Sequence, residues 1–350
     1  MRVLLSSSGM GFSMRYSICT LALCTLLAAC GGPDDAAPET PDAETAAPAE
    51  GAEGAATGET GEETEAEAGL LEQAPYGSLA WAVEGDWRGD QTERDEWRNP
   101  QETIEFLDID PSGTIVEIWP GAGWYTQVLA PWIAANEGRY VAAYFPTAGE
   151  ERLIAFRDNY VERFSDPRYG EIEMTEFGPE TGPILAPGSA DRVLTFRNVH
   201  NWMSRGFAEK AFADFYEVLA PGGVLGVVEH RLPASREQDP RAASGYVQED
   251  YVVALAQEAG FELVEASEIN ANPADAADHP FGVWTLPPVS RIGEDAGEDF
   301  DPDYYTSIGE SDRMTLRFVK PAAGDEAADG SSESVEDDSD TGENGDDTEG

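Results

Sequence analysis

Residues 114–126 read TIVEIWPGAGWYT. Thr114, Ile115, Val116 and Ile118 are β-branched, which predicts a short strand from Thr114 to Ile118. Pro120, Gly121 and Gly123 then break the pattern. Without a Cβ, a glycine lets backbone N–H groups approach a ligand and adopts dihedrals closed to other residues. From Trp124 the apolar residues Val128, Leu129, Trp132 and Ile133 recur on one side, predicting a helix from Trp124 to Ala135. Its positive end faces the turn, and Pro131 is expected to kink or shorten it. Strand, glycine turn and helix together form the local geometry that can cradle a nucleotide-like ligand.

The alternation continues outward. Further strands are expected at 139–145, 171–177, 192–196, 224–230, 261–267 and 313–319, with helices at 150–164, 207–219 and 249–259. Strands and helices at this spacing predict an α/β fold, a mostly parallel seven-stranded sheet with helices on both faces. No helix separates the last two strands, and an irregular insertion over 270–310 joins them, so the last strand is expected to run antiparallel. Residues 76–110 read as helical pieces, with Pro100 near a helix start. Arg94 and Arg98, four apart, read as a solvated helix face.

The two ends are different material. Residues 1–29 read as a secretory leader: Arg2 and Arg15 give a positive start, and Ile18 to Ala29 is apolar but too short to span a bilayer. It runs into Leu27-Ala28-Ala29-Cys30, which resembles a bacterial lipoprotein signal; that resemblance implies cleavage before Cys30, lipid on its sulfur, and a periplasm-facing protein of the outer membrane. The three cysteines, Cys19, Cys24 and Cys30, all lie in this region, so the mature domain has no disulfide or thiol nucleophile. Residues 30–68 and 323–350 are acidic, with no aromatic and no basic residue, and are expected to form a disordered tether and tail. One domain is expected over 69–322. With 69 acidic against 21 basic residues and a formal charge of −48, the chain repels nucleic acid and anionic head groups, so a small-molecule partner is expected and membrane contact only through Cys30.

Several stretches carry a resemblance. Glu117-Ile118-Trp119-Pro120-Gly121-Ala122-Gly123, ADRVLTFRNVH, LAPGGVLGVVEH and EAGFELVEASE stand in the order of the landmarks of class I S-adenosylmethionine-dependent methyltransferases. RDEWRNPQETIEFL, WPGAGWYTQVLAPW, EINANP and GVWTLPP resemble more narrowly a group of often exported bacterial proteins described as predicted methyltransferases. The resemblance implies a Rossmann-like sheet and S-adenosylmethionine as cofactor, held by Glu117, Gly121, Gly123, Trp124, Tyr125 and Asn198, and it gives Arg94, Asp95 and Arg98 a second reading beside the solvated face, as part of a leading helix that covers the cofactor. Two positions depart from it. Trp119 stands where the first motif glycine usually lies, and the second strand ends AAYFP, without the acid that normally takes the ribose hydroxyls.

Other candidates lie at the carboxyl edge, where open α/β sheets bind ligands. His200 is a candidate general base near neutral pH, alongside a reading as a structural histidine. His230, Tyr246 and Trp284 are candidate substrate contacts, the last in HPFGVWTLPP, a lid-like segment. No metal-ligand spacing recurs, and no metal is expected. Three functions follow in order: a methyltransferase acting on a small molecule; a ligand-binding lipoprotein that kept the fold without catalysis; and a nicotinamide-dependent oxidoreductase, which would need a different glycine spacing.

Overall fold

The computed structural model describes residues 74–322 except 294–296 and 298. The leader, Cys30, the tether and the acidic tail lie outside the described residues. Strand β1 (Thr114–Ile118) runs parallel between β2 (Arg139–Tyr144) and β4 (Ala190–Phe196). Strand β3 (Ile172–Glu176) flanks β2, and β5 (Leu219–His230) flanks β4, both parallel. Then the direction reverses: β7 (Arg313–Val319) lies antiparallel between β5 and β6 (Glu262–Ser267). The order is β3-β2-β1-β4-β5-β7-β6. The expected Rossmann-like class, the seven strands and the antiparallel last strand are all present. Ile115 to Ile118 are buried without a gap, as in a strand covered on both faces.

The chain leaves β1 towards β2 and leaves β4 towards β5. The carboxyl ends of β1 and β4 are therefore the switch point, where such sheets open a crevice. The reversal adds a second feature. In the β5–β7 register His230 pairs with Arg313, so β7 begins at the edge where the parallel strands end.

Nine α-helices among the described residues surround the sheet: α1 (Leu79–Val83), α2 (Asp95–Arg98), α3 (Pro100–Phe106), α4 (Thr126–Ala135), α5 (Glu151–Arg163), α6 (Val199–Ser204), α7 (Ala208–Val218), α8 (Glu249–Glu258) and α9 (Pro302–Ile308). Some differ from expectation. Helix α4 starts at Thr126, so Trp124 and Tyr125 belong to the turn, and it continues through Pro131. Proline leaves the carbonyl four residues back without a donor; the Gln127 carbonyl instead accepts the Trp87 indole N–H at 2.9 Å. Strand β5 begins at Leu219, earlier than expected, because Leu219 already pairs with Ala190 across a register shift. The insertion over 270–310 is not wholly irregular: Asp301 caps α9 by accepting from the Asp303 and Tyr304 N–H groups, with Pro302 at its first position. No helix among the described residues is long and apolar enough to cross a membrane.

Two glycines give a packing test. A Cβ on Gly138, between α4 and β2, would meet the Pro111 carbonyl oxygen at 2.0 Å, whereas one on Gly182 would meet nothing within 4 Å. Gly138→Ala is expected to cost roughly 2–3 kcal/mol in urea unfolding. Gly182→Ala should stay within about 0.5 kcal/mol of the wild type. Equal effects would contradict this packing.

Candidate functional site

At the end of β1, Trp119 adopts φ 49°, the left-handed region that a bulky residue enters only at a cost. What holds it there is the indole's surroundings. The ring packs at 6.0–6.2 Å from Phe145, Phe177, Trp202 and Phe207, and its N–H donates to the Phe177 carbonyl at 2.9 Å. Phe145 follows β2 and Phe177 follows β3, so the indole reaches across the ends of three strands and is only 4% exposed. Asn198, just after β4, donates to the Ile118 carbonyl at 3.0 Å and contacts the Trp119 carbonyl at 3.4 Å. That side chain ties β1 to β4 across the switch point.

The turn itself is filled as well. Gly121 and Gly123 have positive φ, as the motif expects. A Cβ on Gly123, however, would meet the Phe164 ring at 2.3 Å and Tyr160 at 3.1 Å. The Tyr144 hydroxyl, from the last residue of β2, donates to the Gly121 carbonyl at 3.0 Å.

Glu117 faces inward rather than towards a ligand. Its carboxylate meets the hydroxyls of Tyr140 and Thr126, and Thr126 contacts Tyr160 at 3.1 Å. Burial raises the Glu117 pKa to about 7, against the lowering effect of the Tyr140 and Thr126 hydrogen bonds. Burial also pushes Tyr140 and Tyr160 upward. This knot is a structural network beneath the turn.

On the other side of the switch point the polar groups converge. His200, in α6, places Nδ1 2.9 Å from a Glu229 carboxylate oxygen and Nε2 3.0 Å from the Asn201 amide. A proton on Nδ1 satisfies both contacts, with Asn201 donating to Nε2. Glu229 also accepts the Val199 and His230 backbone N–H groups. His230 lies 5.4 Å from His200, ring to ring, and its Nδ1 meets the Ser311 hydroxyl at 2.5 Å. Burial first, then His200, Arg197 and Arg313, push His230 well below the usual imidazole range. Trp284 is half-buried and stands 6.1 Å from the His200 ring. Tyr246 is fully buried; its hydroxyl donates to Asp275, which His279 also contacts at 2.7 Å, so that phenol is an anchor. Candidate ligand atoms of His200, Glu229 and His230 lie within 4.8 Å of one another. Glu229 already serves internal donors, and the arginines nearby make the field unfavourable to a cation.

Those arginines are what the sequence reading missed. Arg98 and Arg313 are 1% and 2% exposed, so the expectation of a solvated face at Arg94 and Arg98 is corrected. Arg94 donates to Glu310 at 2.7 Å, Arg98 at 2.9 Å, and Arg313 closes on the same carboxylate. Burial would raise the Glu310 pKa, but Arg313, Arg94 and Arg197 outweigh it and hold the carboxyl below its usual range. Trp124 and Tyr125 form the floor. The Arg98 guanidinium lies 4.7 Å over the Trp124 ring, and the Tyr125 hydroxyl donates to the Arg98 carbonyl at 3.2 Å. The Tyr125 ring stacks on Phe196 at 3.6 Å. Glu310 stands 216 and 212 residues from Arg94 and Arg98, and a lone acid in a loop carries no sequence signal.

S-adenosylmethionine does not fit this edge as built. The space over Gly123 holds Phe164, the crevice holds the Trp119 indole, Glu117 faces the core, and β2 ends in buried Tyr144 and Phe145 where a ribose acid would stand.

No protein-family model matches the chain, and no curated protein matches it. Solved structures are similar at low identity. A SAM-dependent methyltransferase from Aquifex aeolicus is 16% identical, with 51% of this chain and 87% of that one covered and a TM-score of 0.41. The [4+2]-cyclase SpnF is 16% identical over 64% and 80%, with a TM-score of 0.44. A TehB-like SAM-dependent methyltransferase from Corynebacterium glutamicum is 13% identical over 66% and 97%, with a TM-score of 0.37. Likeness at this level speaks to neither chemistry nor substrate.

The Glu117 knot gives a pH test. The folded pKa of about 7 lies above the unfolded value of 4.5, so the folded state binds more protons between them. Stability from this group is full below pH 4.5 and is lost as pH rises to 7, by roughly 3 kcal/mol. Glu117→Gln should therefore flatten the decline in urea stability across that window and be the more stable protein at pH 8. Parallel pH profiles for the two proteins would refute the assignment.

Proposed function

We propose that this chain is a small-molecule-binding protein of the cell envelope, built on a methyltransferase-like fold, that does not draw S-adenosylmethionine into its glycine turn. The observation that carries this reading is the Trp119 indole in the crevice, hydrogen-bonded to Phe177 and ringed by four aromatic side chains. Ejecting a packed indole costs roughly 3–5 kcal/mol. A micromolar ligand has about 8 kcal/mol of binding free energy in total. A cofactor that had to displace Trp119, and Phe164 with it, would be left near millimolar affinity. Methyl transfer is the reading that the motif order and the fold support, and it requires that hollow to open.

The ligand then belongs on the other half of the carboxyl edge, where α6, the end of β5 and the insertion before β7 bring His200, His230 and Trp284 together. There the Glu229 carboxylate holds His200 in one tautomer, with Nε2 as its acceptor nitrogen. Asn201 occupies that nitrogen and Ser311 meets His230 Nδ1, so a polar ligand reaches His200 by replacing Asn201 at Nε2. No chemical step on the ligand is required for this role.

Isothermal calorimetry on the full chain separates the readings. S-adenosylmethionine, S-adenosylhomocysteine and NAD are each expected to give no saturable heat at about 100 μM, as follows from millimolar or weaker affinity. Low-micromolar binding of S-adenosylhomocysteine would restore the methyltransferase reading and sink this one.

The envelope location rests on the leader and Cys30, since several acyl chains on one residue anchor a protein stably. Cys30→Ser is expected to move the chain from the membrane pellet to the soluble fraction. A variant that still pellets with membranes would show that lipid on Cys30 is not the anchor.

A further inference from the structure

The end of α6 and the residue before α7 read Trp202-Met203-Ser204-Arg205-Gly206-Phe207. Three of these residues close around one ring. Trp202 and Phe207 each lie 6.0 Å from the Trp119 indole, and the Arg205 guanidinium lies 5.1 Å over the same ring. Gly206, at φ 72°, supplies the left-handed backbone that turns the chain between Arg205 and Phe207. Trp202 and Phe207 are buried, whereas Arg205 is exposed. The cation is therefore the layer between solvent and an indole that is only 4% exposed.

Arg205 has no competing engagement. Among the described residues its guanidinium makes no hydrogen bond and no ion pair, and the Trp119 ring is its partner. Burial against the ring lowers its pKa from the usual arginine value, and no carboxylate acts to raise it. Other cations of the chain are placed differently. Lys210 lies 5.9 Å over the Phe177 ring but pairs with Asp214 one turn on, and Arg231 is shared by Glu268 and Asp312. A carboxylate beside Arg205 would draw the guanidinium away, because a charge-assisted pair competes for the same donors. In a chain with 69 acidic residues, the space around this one arginine is kept clear of them. The negative face of the indole is then the group that holds it.

The indole is held against a strained backbone. Trp119 sits at φ 49°, and that strain is relieved when the residue leaves its present conformation. Four aromatic rings and the N–H bond to the Phe177 carbonyl oppose the release. Arg205 adds the contact that an indole moving outwards past the end of α6 must shed first.

We propose that Arg205 is a latch on the Trp119 indole, holding it in the crevice and so setting the selectivity of this edge against nucleoside ligands. The role is one of positioning, since Arg205 acts through Trp119. This assignment rests on the closed-crevice reading above and names the residue that enforces it. A guanidinium–indole contact shifts the open population by roughly twofold to thirtyfold.

The test follows the Trp119 indole N–H, whose exchange with deuterium requires the bond to Phe177 to open. The full chain is isotope-labelled at its indole nitrogens, and the Trp119 signal is assigned by correlation with its own backbone. Arg205→Met, which keeps the bulk and loses the charge, is expected to speed this exchange about threefold or more. Arg205→Lys keeps the cation and should stay nearer the wild-type rate. The Trp87 N–H, bonded to the Gln127 carbonyl, is the control and should exchange as before. A wild-type rate at Trp119 in Arg205→Met overturns the assignment. Equal acceleration at Trp87 also overturns it, because that marks a loss of global stability. So does an Arg205→Lys rate as fast as that of Arg205→Met, because the charge would then be irrelevant. The parent reading fails on a different measurement: low-micromolar binding of S-adenosylhomocysteine by the wild type sinks the closed crevice, whereas unchanged Trp119 exchange in Arg205→Met sinks the latch alone.

Discussion

The Trp119 indole, wedged over the ends of β1, β2 and β3, is the contact around which the carboxyl edge is arranged. It explains why β2 and β3 run into Phe145 and Phe177, and why α6 and the residue before α7 present Trp202 and Phe207. It explains the left-handed backbone at its own position, since the packing of five aromatic rings outweighs about 1–3 kcal/mol of dihedral strain. Asn198 completes the closure by bonding the end of β1 from the end of β4. A fold whose switch point normally opens for a ligand is here closed by its own side chains.

On the other half of the edge the polar groups are tied to one another. The Glu229 carboxylate fixes His200, burial keeps His230 neutral, and Glu310 gathers three arginines. The turn that the sequence marks as a cofactor cradle still matters to this half. Trp124 and Tyr125 leave it as the floor beneath Arg98. The turn's aromatic residues thus pack under the arginine cluster on this half of the edge.

Much of this was legible in the sequence. The β-branched run and the glycine turn marked β1, and the alternation of strand-like and helical stretches marked the rest of the parallel core, because local backbone preference and the buried environment agree there. Pro131 was read as a breaker because the rule considers only the helix; the Trp87 indole, forty residues away, supplies the donor that its lost carbonyl bond lacked. Arg98 was read as solvated because i, i+4 spacing says which residues share a face and not what covers it. Glu117 was read as a ligand contact from its place at a strand end, but the hydroxyls that capture it come from β2, α4 and α5.

By itself, then, the sequence determined the order and type of the elements, the glycine turn, the acidic character of the chain and the candidate edge. These depend on short-range chemistry: side-chain period, backbone permission at glycine, and summed charge. The tertiary structure alone decided whether the crevice is open, which way Glu117 faces, and that Arg98 and Arg313 meet at Glu310. Those outcomes depend on side chains from distant segments competing for one volume and one set of hydrogen-bonding partners, and no spacing along the chain records the result of that competition.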